Sequence, residues 1–290
     1  MTKYLITGAN GLLGSEIAKN DFFKDSIALS HQEFDLTNMG MMEEIIKKYL
    51  PEIIINCAAY ANVTKAEEEY SKAYEVNAAG VENLCKLAKK YGIFLVHFST
   101  DYVFKGDSSS NYEYLENDKP NPVNLYGKSK LEGEQFVLNN LENYLIIRIS
   151  FLFGLNGKNF VSSVFNLIKT KANLKIVSDQ FGKSTYTEDL IVGLQNLLSM
   201  KQKGIFHFTN KGRHNRYEFS VEMLKIMKKY YPLNTNIEPI PADYFPDKTP
   251  RPTNSVLSIS KYEKITGKKI PTWQNALSRY VKRKVENLSK

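Results

Sequence analysis

Cysteine is nearly absent. Cys57 and Cys85 are the only two in 290 residues, which excludes a disulfide-stapled scaffold and makes a reducing, cytoplasmic setting the default expectation. No apolar run approaches the roughly 20 residues of a membrane span. Met1-Thr2-Lys3 leads straight into a strand pattern without the apolar region of a signal peptide. His31, His97, His207 and His214 show no ligand spacing and the cysteines do not pair as a zinc site, so no metal site is expected. Arginine is scarce, the lysines are scattered and no nucleic-acid motif occurs; the basic tail Arg279–Lys290 reads as a solvated helix end. No repeat of 20–50 residues is present.

What is present is globular. Hydrophobic residues at 42% and aromatics at 12% exclude global disorder. The length suits one large α/β domain or two medium ones. Lys plus Arg is 39 against 31 Asp plus Glu, a net charge of +8. That balance admits nucleic acid, an anionic membrane or phosphorylated small molecules, and does not choose among them.

Strand and helix signals alternate through the first two-thirds. Strands are expected at Tyr4–Thr7, Ser26–Ser30, Ile53–Ile55, Phe94–Ser99 and Tyr144–Ser150. The all-apolar Ile53-Ile54-Ile55 suits a strand covered on both faces. A helix from about Met39 should stop before Pro51. Thr64-Lys65-Ala66-Glu67 has the form of a capping box, predicting one helix from there to about Lys90, ended by Gly92. A further helix begins near Pro122–Leu125. This alternation predicts a parallel sheet with helices on both faces. Asn173–Ser178 and Gly204–Thr209 still read as strands, and the proline-rich 234–252 as extended or turning. The polar stretch Gly106–Asn121 is either a solvated connection or a loop near a site.

Gly8-Ala9-Asn10-Gly11-Leu12-Leu13-Gly14 follows the first strand and opens the first helix. Glycines there permit a tight turn and close backbone approach to a pyrophosphate at the helix N-terminus, so a dinucleotide is expected. The second strand ends in Ser30-His31, with no acid until Glu33. An acid about 20 residues beyond the glycines would bind a ribose 2′-hydroxyl and repel a 2′-phosphate. NADPH is therefore the expected cofactor, with His31 beside the phosphate and NADH as the alternative.

Tyr126-Gly127-Lys128-Ser129-Lys130 places Tyr126 and Lys130 one turn apart on a helix face. An ammonium there favours phenolate and draws the phenol toward the working pH. The same spacing occurs at Tyr244–Lys248, where Pro246 breaks any helix, and at Tyr280–Lys284 in the charged tail. Only the first follows a strand ending in Ser99-Thr100-Asp101. Thr100 at such a strand end can hydrogen-bond a substrate carbonyl while Tyr126 supplies a proton.

A glycine loop, a strand-end Thr and Tyr-x-x-x-Lys resemble the extended short-chain dehydrogenase/reductase superfamily. Asp35-Leu36-Thr37, Asn56-Cys57-Ala58-Ala59-Tyr60, Ser99-Thr100-Asp101-Tyr102-Val103-Phe104, Gly157-Lys158-Asn159-Phe160-Val161, Asp179-Gln180-Phe181-Gly182 and Arg251-Pro252-Thr253-Asn254-Ser255, in that order, narrow the resemblance to the dTDP-4-dehydrorhamnose reductase family. The resemblance implies an α/β fold: a Rossmann-like doubly wound parallel sheet with a smaller, discontinuous α+β C-terminal substrate domain. It divides the chain into an NAD(P)-binding domain, 1–150 with about 173–200, and a sugar-nucleotide domain, 151–172 and 201–290. It implies reduction of a nucleotide-linked 4-keto-6-deoxy sugar, dTDP-4-dehydro-L-rhamnose to dTDP-L-rhamnose, for cell-surface polysaccharide.

By the same resemblance, Gly8, Asn10, Gly11, Leu12 and Gly14 cradle the pyrophosphate, with Ser30, His31, Asp35 and Leu36 toward the adenosine. Ala58, Ala59, Tyr60 and Ser99 line the nicotinamide side with Tyr126 and Lys130. Thr100, Asp101, Tyr102, Tyr126, Phe151, Arg251 and Asn254 face the nucleotide sugar. Phe151 stands where a Trp is expected and Ala61 where a Thr is expected, departures that bear on the sugar or nucleotide. Glu16 and Glu188 sit where some relatives hold Mg²⁺ at a dimer interface; surface carboxylates are the simpler account, and a monomer or homodimer is expected. Asp101 is followed by Tyr102, so the carboxylate pair of a 4,6-dehydratase is missing, and no Cys occupies the strand-end position of epimerising relatives. A UDP-sugar 4-reductase and a non-catalytic NADP-binding subunit, like that of methionine adenosyltransferase, stand as alternatives.

Overall fold

Ile54 and Ile55 are fully buried, as a β-branched run inside a doubly covered sheet must be. In the computed structural model, which describes residues 2–106, 112–157, 159–247 and 249–288, that run belongs to an alternating series. The elements are β1 (Tyr4–Thr7), α1 (Leu12–Ala18), β2 (Ser26–Leu29), α2 (Met39–Tyr49), β3 (Ile53–Asn56), α3 (Val63–Glu68), α4 (Tyr70–Tyr74), α5 (Gly80–Tyr91), β4 (Phe94–Thr100), α6 (Leu125–Asn140) and β5 (Tyr144–Ile149). After these come β6 (Leu152–Phe153), α7 (Phe160–Thr170), β7 (Asn173–Val177), β8 (Phe181–Gly182), β9 (Thr185–Tyr186), α8 (Thr187–Ser199), β10 (Gly204–His207), β11 (His214–Asn215), α9 (Arg216–Met227), β12 (Asn236–Ile240), α10 (Ser260–Thr266) and α11 (Trp273–Leu288). Residues 107–111 of the polar stretch, Lys158 and Lys248 lie outside the described residues.

The central sheet has six parallel strands in the order β2-β1-β3-β4-β5-β10. The chain reverses direction across β1, so the switch point lies between β1 and β3, where open α/β sheets bind ligands at the carboxyl ends of their strands. One apolar layer covers each face. Ile6, Ile55, Val96, Leu145, Leu194 and Phe208 share one; Leu5, Ile54, Leu84, Leu95 and Ile146 share the other. A separate core around Phe153, Tyr186, Phe219, Trp273 and Tyr280 builds the second unit. Tyr280, from the third Tyr-x-x-x-Lys spacing, is a fully buried part of that core. No helix among the described residues is long and apolar enough to cross a membrane.

Two strands change places relative to the sequence-based division. Gly204–His207 was expected in the substrate domain, yet it pairs with β5 (Ile205 against Ile146) and completes the central sheet. Phe206 and Phe208 bury in the same layer as Val96. Asn173–Val177 was expected with the cofactor domain, yet it pairs with β12. Its Leu174 and Ile176 point inward while Asn173 and Lys175 are exposed. Such alternation suits a sheet with one wet face, not the doubly covered one.

The helix expected from Thr64 to Lys90 is broken. Asn62, not Thr64, caps α3 by accepting from Lys65 N at 3.0 Å. Glu67 is thereby released from the supposed capping box and accepts the Leu125 backbone N–H at 2.7 Å, at the start of α6. After a break at Glu69, a π-helical turn at Glu75–Ala79 precedes α5. Buried Asn77 in this turn accepts from Tyr60 N, donates to Tyr60 O and donates to Ser129 Oγ. It ties the loop after β3 to α6, a use typical of π turns near functional sites.

Candidate active site

Gly8 adopts φ +64, a left-handed conformation open to glycine. A Cβ on Gly14 would lie 2.4 Å from the Gly8 carbonyl oxygen, so α1 starts tight against the turn only because Gly14 has none. Gly8, Asn10, Gly11, His31, Ala58, Ala59 and Tyr60 line one groove at the switch point. Leu12 faces the adjoining cleft. Asp35 accepts from the Thr37 N–H and hydroxyl, both at 2.9 Å, and lies 3.7 Å from exposed His31. Leu36 is buried. The turn after β2 carries Glu33 back, and its carboxylate accepts from Ser30 N at 2.9 Å and Ser30 Oγ at 2.7 Å. Glu33, the first acid after the second strand in the sequence, is thereby turned back onto the strand end and taken up by Ser30.

Three linked contacts fix the start of α6. Asn124 caps it, accepting from Gly127 N at 2.7 Å and donating to the Pro250 carbonyl at 2.9 Å, beside the Glu67 contact. Tyr126, Lys130 and Glu134 then follow one stripe of the helix. Lys130 is 3% exposed and its Nζ donates to the Phe98 carbonyl at 2.8 Å. Burial pulls its ammonium down to about 8, against the opposing charge of Glu134. Burial pushes the Tyr126 phenol up, opposed by its hydrogen bond with Thr100. Lys130 is thus directed to the backbone of β4, and Thr100 is the polar group beside the phenol.

Thr100 donates to Asp101 Oδ1 at 3.1 Å and accepts from Tyr102 N at 3.2 Å. Asp101, 2% exposed, also accepts from Ser150 at 2.7 Å and Ser255 at 2.5 Å. Burial nonetheless raises its carboxyl to about 6. Gly11, Ser99, Thr100, Tyr126, Lys130 and Phe151 line a cleft of about 300 Å³, with Ala61 and Cys57 on its wall. The buried Ser99 hydroxyl has no hydrogen-bond partner among the described residues. Tyr102 meets the Tyr126 ring edge-on, centroids 6.1 Å apart. Phe151 takes φ +41, an unusual backbone for a bulky residue, at the mouth of the cleft.

Arg251 and Asn254 are not among the residues lining this cleft. Arg251 pairs with Asp247 at 2.9 Å and donates to Thr64 Oγ1; Asn254 donates to the Tyr112 carbonyl. Glu16 accepts from the Thr187 hydroxyl and from Leu155 N, while Glu188 pairs with Arg279 and Arg283. These partners account for both carboxylates without an ion, and no cluster of three metal-ligating side chains occurs among the described residues.

Sequence reasoning missed Glu134, Asn77 and Arg216. Glu134 was in reach, one turn beyond Lys130 on the same stripe. Arg216 gave no signal, since α9 reaches the site only through the tertiary fold.

The Lys130 geometry carries a pH prediction. If the ammonium is the active form, kcat/KM of the free enzyme should fall as pH rises through about 8, where Lys130 loses its proton. The Tyr126 phenol, pushed upward, stays protonated across that range. A profile flat to pH 10 would show that the charge on Lys130 is not needed.

A parallel sheet with a glycine loop at its switch point, and a tyrosine–lysine helix facing a strand-end threonine, defines an NAD(P)H-dependent oxidoreductase of the short-chain dehydrogenase/reductase type. Within that class, the chain belongs to the family described as RmlD substrate binding domain, which matches residues 2–286. It is 36% identical over 291 residues to dTDP-4-dehydrorhamnose reductase of Aggregatibacter actinomycetemcomitans, covering 96% of this chain and 97% of that protein. It is 35% identical over 283 residues to the spore coat polysaccharide biosynthesis protein SpsK of Bacillus subtilis, covering 97% of each. The crystal structure of dTDP-4-dehydrorhamnose reductase from Bacillus anthracis in complex with NADP matches with a TM-score of 0.90 at 34% identity, covering 97% of this chain and 99% of that one.

Proposed function

We propose that the protein reduces the C4 keto group of a nucleotide-activated 4-keto-6-deoxy-hexose with NADPH, converting dTDP-4-dehydro-L-rhamnose to dTDP-L-rhamnose. The observation that carries this reading is the placing of Thr100, Tyr126 and Lys130 on one cleft, beside the unpartnered Ser99 hydroxyl and continuous with the glycine groove. Residues of that groove suit a dinucleotide. The Gly8–Gly14 contact leaves backbone exposed where a side chain would stand, and Ser99 offers a donor with nothing else to bond.

Gly8, Asn10, Gly11 and Leu12 would hold the pyrophosphate, and Lys130 and Ser99 the ribose–nicotinamide end. When bound, the nicotinamide supplies a hydride to the C4 carbon. Tyr126 gives its phenolic proton to the C4 oxygen, so that a carbonyl becomes a secondary alcohol. Thr100 bounds the cleft beside the phenol; its own proton is committed to Asp101. The fixed phenolic donor at the developing oxyanion and a preset distance supply the rate.

Asp101 supports reduction over dehydration, because its carboxylate is occupied by three hydroxyls. Cys57 reaches the cleft from the end of β3, but burial pushes its thiol up and keeps it from serving as a thiolate base for epimerisation. The test is NADPH consumption with dTDP-4-dehydro-L-rhamnose beside its UDP analogue, followed by assignment of the product's C4 configuration. Turnover of the dTDP sugar, with a lower KM for NADPH than for NADH, is expected. Tight NADP binding with no turnover of either sugar would replace this reading with the regulatory-subunit alternative; a tenfold preference for NADH would overturn the cofactor assignment.

A further inference from the structure

Most arginines of this chain are neutralised. Arg148 pairs with Glu134, Arg251 with Asp247, Arg279 with Glu188 and Asp189, and Arg283 with Glu188. Arg216, in the first turn of α9, has no carboxylate partner among the described residues. Its guanidinium donates to Gln180 Oε1 at 3.1 Å, faces the Tyr102 phenol, and stands 5.1 Å over the Phe151 ring and 5.5 Å over Phe160. A half-buried cation braced by a neutral amide, a phenol and two rings is held in place without being neutralised.

Its position is specific. Phe151 and Leu152 separate the catalytic cleft from a second cavity of about 90 Å³, and Arg216 lines the latter with Phe160, Ser184 and His214. The Ser184 hydroxyl, 1% exposed, has no hydrogen-bond partner among the described residues. His214 brings no charge there: burial lowers it to about 4, and its Nε2 accepts from Ser184 N. The site thus holds one unneutralised guanidinium and one idle hydroxyl, a pair suited to an anion with several acceptor oxygens. From Tyr126, the Tyr102 ring leads directly to Arg216. A pyranose whose C4 meets Tyr126 carries its C1 phosphate at the opposite side of the ring, away from the proton donor.

We propose that Arg216, braced by Gln180 and assisted by Ser184, binds the diphosphate of the nucleotide sugar and so fixes which end of the hexose enters the cleft. This rests on the nucleotide-sugar reading above. Guanidinium is apt because its planar fork pairs with phosphate oxygens in bidentate fashion, and two of its contacts here leave further N–H donors to use.

The test titrates the NADP-loaded wild type, Arg216→Ala and Arg216→Lys with thymidine diphosphate and with thymidine, by calorimetry. Arg216→Ala should weaken thymidine diphosphate roughly 10- to 100-fold, the range for hydrogen bonds to charged groups, and leave thymidine unchanged. Arg216→Lys should recover part of the loss, since it keeps the charge and loses the fork. In turnover, KM for the nucleotide sugar should rise while KM for NADPH stays put. Unchanged thymidine diphosphate affinity in a folded, NADP-binding Arg216→Ala protein overturns the proposal. Equal weakening of thymidine also overturns it, because Arg216 then acts only by packing on Phe151 and Phe160. If the wild type turns over no 4-keto sugar yet loses thymidine diphosphate binding on Arg216→Ala, the phosphate site stands and the reaction assignment falls.

Discussion

Tyr126→Phe should turn over the 4-keto sugar nucleotide about 10²- to 10⁴-fold more slowly than the wild type, the usual worth of a positioned proton donor, while binding NADPH with little change. The size follows from the lack of a substitute. Thr100 directs its proton to Asp101, and Lys130 directs its Nζ to the Phe98 carbonyl. The remaining Phe ring still meets Tyr102 edge-on, so the cleft wall survives the loss of the hydroxyl. Single-turnover NADPH oxidation beside a NADPH titration separates the chemical step from binding. Near-normal turnover would remove Tyr126 from the role of proton donor.

Glu134→Gln should destabilise the fold by about 3–5 kcal/mol, the cost of leaving one member of a buried ion pair uncompensated. Glu134 and Arg148 are 0% and 3% exposed and joined by two hydrogen bonds, Nε to Oε1 at 2.9 Å and Nη2 to Oε2 at 2.7 Å. Among the described residues Arg148 has no second ion pair; its other contacts are the Glu116 carbonyl, the Phe104 ring and neutral His207, with the Glu116 carboxylate near enough to feel its charge. The pair joins α6 to β5, so it also sets where the helix holds Tyr126 and Lys130. Glu134 supports the charge on Lys130, and its removal should move the basic limb of kcat/KM below about 8. Denaturant melts and the pH profile read the two effects separately. A loss under about 1 kcal/mol would mean that the guanidinium reaches water. Replacing both partners by apolar residues should cost much less than Glu134→Gln alone.

What could be read in advance divides along physical lines. That Tyr126, Lys130 and Thr100 would line one cleft was legible because it depends on spacing within one helix and on one strand end. The strands themselves were legible from apolar runs, but their partners were not: periodicity marks Gly204–His207 and Asn173–Val177 equally and says nothing about which edge each joins. The break at Glu69 was hidden because Thr64 and Glu67 satisfy a capping pattern, while Asn62 two residues earlier wins the cap. Arg251 was assigned to the ligand, although Asp247 four residues before it offered a nearer partner. Arg216 comes from α9 and Gln180 and Ser184 from the segment around β8, so the three meet only in the folded chain.

The late arrival of β10 has a consequence for how the protein is made. During synthesis, the sheet cannot close until His207 of the 290 residues has left the ribosome. Until then β5 is an edge strand with unpaired backbone groups and an apolar face, the kind of surface that invites pairing between chains. The seal comes later still, when Lys261 reaches the Ile205 carbonyl and Tyr262 packs on Phe208. A fragment ending at Ser150 is therefore an unfinished sheet, not a portable cofactor module. Exchanging the second unit for that of a relative requires several coordinated junctions in place of a single splice.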